Sequence, residues 1–116
     1  MIRKTEFVAS AGSDSTTSGL YQLKCTKTFT PDLEDTYWVI GTMSANHGNI
    51  AGRVDTKLLI YDSFFIFLAE FYIGYIWPRA ITEYISCFGL AQIDIPALGY
   101  DPGDITCDLY YASTPA

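Results

Sequence analysis

The stretch Phe64–Trp77 reads FFIFLAEFYIGYIW, and how it folds decides the architecture. Seven of its fourteen residues are aromatic, and its only charge is Glu70. Such a run could cross a membrane, fill a core or meet another chain. As a helix it would reach about 21 Å at 1.5 Å per residue, short of the ~30 Å hydrocarbon core of a bilayer. Extending it back to Leu58 brings in Asp62 and Ser63. Each acid inside a bilayer costs roughly 2.5–3.5 kcal/mol, so the run is not read as a membrane span. A buried helix is the rival, with Ser63 as N-cap and Pro78 as terminator. Enrichment in aromatic and β-branched residues favours a strand instead.

As a strand, the run lacks the wet face that an ordinary antiparallel sheet leaves. Its odd positions run Phe65, Phe67, Ala69, Phe71, Ile73, Tyr75 and Trp77. The even ones are apolar too, apart from Glu70 and Gly74. A fully extended run would reach ~46 Å, so a bend is expected near Gly74. Two apolar faces imply two coverings: the chain's own core on one side and another chain on the other. The expected interface residues are Phe65, Phe67, Phe71, Tyr75 and Trp77, with Ile66 and Glu70. The carboxylate of Glu70 must reach solvent or pair with Arg53, Lys57 or Arg79.

Outward from this run, the chain reads as strands. MIRKTEFVAS has an extended character, and Ser10–Gly19 is a polar loop. Leu20–Phe29 alternates, with Tyr21, Leu23, Cys25, Lys27 and Phe29 on the more apolar face. Thr30–Thr36 (TPDLEDT) has the cap, proline and acids of a single helical turn. Tyr37–Asp62 reads as a β-hairpin turning at Asn46–Asn49, because Asn and Gly tolerate positive φ. Between Pro78 and Pro96, the spacing of Ile81, Ile85 and Phe88 suggests one short helix within 79–91, although Ala80–Ser86 also alternates as a strand. Ala97–Asp104 is a turn cluster, Ile105–Ser113 a final strand, and residues 113–116 a loose tail. The expected fold is mainly β: one domain over 1–116, an antiparallel sandwich or small barrel of six or seven strands.

Charge narrows the function. The net charge is −6. Residues 80–116 hold five acids and no base. An acidic chain without a basic patch gains no counterion-release energy on nucleic acid and no attraction to anionic lipid. Charged residues make up 17%, below the usual ~25%, which favours a subunit over a free monomer. Cys25, Cys87 and Cys107 form no CxxC or zinc spacing and are expected as buried thiols. The first residues lack an apolar signal core, which predicts a chain made and folded in a cytoplasm.

Catalytic constellations are weak. His47 is the only histidine, expected exposed in the hairpin turn, with no Gly-x-Ser-x-Gly elbow to serve. Carboxylates cluster at Asp32, Glu34 and Asp35 and again at Asp101, Asp104 and Asp108, which is what Asp does for local turn reasons. The DPGD loop lacks EF-hand spacing for calcium. No cofactor or metal is expected. The reading is a non-catalytic assembly subunit, of the kind found in a virus or phage particle as capsid, decoration or tail protein, partnered by itself or by other proteins. The alternatives are a β-fold module for a carbohydrate or small ligand, and an acidic inhibitor of another protein.

Overall fold

The structure is a computed structural model that describes residues 19–47, 52–76 and 84–114, with the side chains of 71–75, 87 and 114 excepted. The expectations for MIRKTEFVAS, for residues 10–18 of the polar loop, for Trp77 and for 115–116 lie outside the described residues. Six strands lie among the described residues: β1 (Gln22–Phe29), β2 (Thr36–Ala45), β3 (Arg53–Tyr61), β4 (Phe67–Ile76), β5 (Ile85–Asp94) and β6 (Ile105–Thr114). They form two antiparallel sheets, β1-β6-β3-β4 and β2-β5. The arrangement is sandwich-like and does not close into a barrel.

The strand β3 is the clearest product of its sequence. Val54, Thr56, Leu58 and Ile60 are buried, while Arg53, Asp55, Lys57, Leu59 and Tyr61 alternate with them on the more open face. Leu58 and Ile60 meet Ile105 and Cys107 of β6, and across the core they meet Ile93 of β5. Phe29, Tyr37, Val39 and Ala91 pack around this cluster. Burying each such side chain is worth about 1.5–3 kcal/mol. The Phe29 and Tyr37 rings lie 5.0 Å apart. The Tyr37 hydroxyl accepts the Asp32 N–H at 2.8 Å, which ties down the 30–35 connection. That connection is a plain turn at Leu33–Glu34, not the expected helical turn.

Two further expectations need correcting. Tyr37–Asp62 is not a hairpin: among the described residues β2 pairs only with β5, and β3 pairs with β4 and β6. The chain crosses from one sheet to the other between Ala45 and Arg53. Turn residues specify that the chain reverses, not which sheet receives it. The true hairpin is β3–β4, closed by Asp62–Ile66. The helix expected within 79–91 is strand β5 from Ile85 onward, its apolar spacing satisfied by alternation between the two faces of the β2–β5 sheet. The one short helix among the described residues, α1, lies later, at Ile95–Leu98. Pro96 starts it and Gly99 ends it in the left-handed conformation, φ 77°. Strand β6 runs through Ser113 and Thr114, two residues into the expected tail.

Strand β4 explains why Phe64–Trp77 shows no clean alternation. Ala69 and Phe71 are paired with Ile60 and Leu58, but Gly74 and Ile76 are paired with Thr56 and Val54. Odd positions therefore face the buried register of β3 at one end and even positions at the other. The irregularity between Thr56 and Lys57 makes the exchange, and a second, between Ile60 and Tyr61, switches the parity again at Phe67.

His47 is half-buried, not an exposed turn residue. Its Nε2 is 2.9 Å from the Ser113 hydroxyl. Its ring lies where a Cβ on Gly52 would have to go. The crossing between sheets is thus pinched between His47 and Gly52. Replacing Gly52 with Ala is expected to lower stability, and His47→Ala to cost about 1 kcal/mol, the worth of a typical hydrogen bond. In a His47→Ala background the Gly52→Ala penalty should shrink. Chemical denaturation of the double-mutant cycle measures this, and additive penalties would refute the pinch.

Candidate functional site

The hairpin loop Asp62–Ile66 is built around one buried carboxylate. Asp62 is 1% exposed. Its Oδ1 accepts the N–H groups of Phe64 at 2.8 Å and Ile66 at 2.9 Å. Its Oδ2 accepts the Tyr100 hydroxyl at 2.5 Å. The backbone completes the turn: Asp62 N–H donates to Ile66 O at 3.0 Å and Phe65 N–H to Asp62 O at 3.1 Å. The Ser63 N–H and hydroxyl both donate to Pro102 O, at 3.0 and 2.7 Å. Every backbone N–H from Asp62 to Ile66 is therefore bonded within the chain.

This rigid loop displays its apolar side chains to solvent. Phe64, Phe65, Ile66 and Phe67 are all more than half exposed, Phe65 at 78%. Phe65 also has φ 61°, a left-handed conformation that a bulky residue adopts only under strain. Its ring stacks on Tyr61 at 5.9 Å, and Phe67 meets Tyr61 edge-on at 6.5 Å.

Beside Tyr61, the outer face of the four-stranded sheet carries a second buried carboxylate, Asp108, 6% exposed. Register brings Thr26, Asp108, Leu59 and Glu70 into one row across the sheet. The Thr26 hydroxyl donates to Asp108 Oδ1 at 2.5 Å. Tyr61 and Tyr110 donate to Oδ2 at 3.1 and 3.3 Å. Burial, together with the neighbouring Asp108, pushes both tyrosine pKa values up. Lys57 lies 4.5 Å over the Tyr21 ring and 5.6 Å from that of Tyr110, a cation–π contact on each side. Its Nζ is 3.5 Å from Glu70 Oε1. Glu70 is half-exposed there, so the pair adds little stability.

A third feature lies on the opposite side of the molecule. Tyr37, Val39, Ala91 and Ile93 point into the core. The alternate residues Trp38, Ile40, Phe88 and Leu90 are 61, 64, 71 and 50% exposed. Ile40 is paired directly with Leu90. Around them stand hydroxyl and amide residues, with Asp94 the one charged residue in the β2–β5 ladder.

Of the expected interface residues, Phe65, Ile66 and Phe67 gather in and beside the hairpin loop, and Glu70 lies further along β4. Phe71 and Tyr75 are placed by register alone, and Trp77 lies outside the described residues. Phe67 and Glu70 are exposed, so at this end the chain covers only one side of the run. Sequence reasoning missed the β2–β5 face. Its signal was present: Trp38–Val39–Ile40 has apolar residues on both alternating faces, as Phe64–Trp77 does. No cluster of metal-ligating residues occurs among the described residues, and no helix among them is long and apolar enough to cross a membrane. No known family model, curated protein or solved structure matches the chain.

Two outcomes test these environments. Burial pushes the Asp62 pKa up, but the bonds from Tyr100, Ile66 and Phe64 outweigh it and hold the carboxyl below its ordinary 3.8. A depressed folded pKa means stability that is present above 3.8 and lost as pH falls through the lower folded value. Asp62→Asn should therefore flatten the fall of stability with pH below 3.8, measured by denaturation at successive pH values. An unchanged slope would contradict it. Burial, then the Asp108 charge, pushes the Cys107 thiol up to about 12. Maleimide labelling at neutral pH, read by peptide mass, should leave Cys107 unmodified until the chain is unfolded.

Proposed function

We propose that this chain is a non-catalytic assembly subunit, working by contact with other protein chains, and that a virus or phage particle is the kind of assembly it serves, as capsid, decoration or tail protein. The observation that carries the reading is the pair of exposed apolar surfaces on opposite outer faces, the Phe64–Phe67 loop and the Trp38/Ile40/Phe88/Leu90 face. Each is near the size of the largest apolar patches found on soluble monomers, a few hundred Å². Hydrophobic burial rewards covering them at roughly 25 cal/mol per Å², although association costs offset much of that. A shell or tail needs subunits that present adhesive surface on more than one side, and a low share of charge suits a chain whose outside is partly covered.

The Asp108 cluster favours a second reading, a module for a carbohydrate or other small ligand. Tyr61 and Tyr110, held in place by Asp108, and Tyr21 offer rings on an open sheet face, and Lys57 supplies a polar group beside them. Solution size separates the two. The wild-type chain is expected to sediment as an oligomer whose size grows with concentration, and Ile40→Asp to stay folded while shifting to smaller species. A wild-type chain that stays monomeric at its highest soluble concentration, and binds a neutral oligosaccharide by calorimetry, would replace the first reading with the second.

A further inference from the structure

The Phe64–Phe67 loop is prepared for a dry environment. Exposed loops ordinarily satisfy their amides with water, and covering them costs those bonds. Here each N–H from Asp62 to Ile66 already has a partner in the chain, so the loop can be dehydrated without losing one. Its conformation is also fixed in advance: the Asp62 carboxylate sets it, and Gly103, at φ 66°, lets the 99–104 turn close against Ser63. A rigid, exposed aromatic anchor binds with little ordering cost.

We propose that copies of this chain join head to tail, the Phe64–Phe67 loop of one seated on the outer face of β2–β5 of the next. The proposal rests on the assembly reading above and names its contact. Three observations select a second copy as the occupant. First, the areas match. Taking ~200 Å² for an aromatic side chain, each surface offers about 400 Å² or more. Together they approach the ~1,000 Å² asked of a specific interface. Second, the charges permit it. Exposed Asp101 and Asp104 stand on either side of Pro102 and Gly103, which lie against Ser63 of the hairpin turn. The receiving face bears hydroxyls and Gln92, with Asp94 at one end only, so the acids of one copy meet no central acid on the next. Third, the two surfaces point in opposite directions, because Phe65 and Phe67 cluster with Tyr61 outside one sheet while Trp38 and Ile40 lie outside the other. A two-fold contact through either surface would leave the other bare, whereas a head-to-tail contact covers both. Such contacts close into rings or run on as filaments.

Complementation tests this with the full chain. Phe65→Asp removes the anchor, and Asp tolerates the left-handed backbone there. Ile40→Asp spoils the receiving face; Phe88→Asp serves in its place if circular dichroism shows Ile40→Asp unfolded. In sedimentation velocity, Phe65→Asp alone and Ile40→Asp alone should each run as monomers. An equimolar mixture should form a one-to-one dimer and nothing larger, because each variant keeps the half that the other lacks. If the wild type assembles and Phe65→Asp assembles equally well, or if the mixture stays monomeric, the head-to-tail contact is wrong while the assembly reading stands. A wild type that never self-associates removes both.

Discussion

The ladder between β3 and β6 is the constraint on which the rest depends. Strand β6 lies between β1 and β3, and nine residue pairs from Arg53–Thr114 to Tyr61–Thr106 join it to β3. Without it β1 has no partner among the described strands, since its pairing there is with β6. Ile105, Cys107 and Leu109, which complete the core, also arrive only with this strand. The four-stranded sheet thus waits for the end of the described chain. Pairings between residues this distant in sequence are slow to form, because loop closure must precede the contacts that reward it.

Asp62 and Asp108 show one solution to a shared problem. Both carboxylates are buried and neither touches a base in a bond described above. Each is surrounded by hydroxyl or amide donors: Tyr100, Phe64 and Ile66 at Asp62, and Thr26, Tyr61 and Tyr110 at Asp108. Hydrogen bonds to a charged acceptor are stronger than neutral ones and more directional than an ion pair. What these groups contribute is geometry. One fixes a loop, and the other fixes the relative positions of β1, β3 and β6 on the open side of their sheet.

The fold was legible where a strand keeps one face in and one face out. Leu20–Phe29 and Ile105–Ser113 were read as strands, and β1 and β6 lie there, although a bulge between Leu23 and Cys25 leaves Leu23, expected on the apolar face, 52% exposed. The Phe64–Trp77 run was read as strand on composition, and Phe67–Ile76 is one. Its faces could not be read, because irregular pairing twice exchanges the parity that alternation depends on. The Asn/Gly cluster at Asn46–Asn49 led to a false hairpin, while the real one is closed by an Asp side chain in a run of phenylalanines, with no Gly or Pro to mark it. Helical spacing between Ile81 and Ala91 failed for a related reason. Phe88 and Leu90 are apolar on the outer face of β5, and Ala91 and Ile93 on the inner, so the apolar set no longer has a period of two. Of the candidate site, the aromatic loop was visible, and the β2–β5 face and Asp108 were not. Finding Asp108 requires knowing that Thr26, Tyr61 and Tyr110 converge on it from three strands.

The order of strands along the chain has a mechanical consequence. Among the described strands, four of the five connections pass from one sheet to the other: β1 to β2, β2 to β3, β4 to β5 and β5 to β6. Only β3 to β4 stays within a sheet. The two layers are laced together rather than stacked, so they cannot hinge apart like the covers of a book. Peeling β2–β5 from its neighbours would pull on every crossing together. The amides of both sheets should therefore share one opening event, the β3–β4 tip included, since Ser63 and Asp62 tie it to Pro102 and Tyr100.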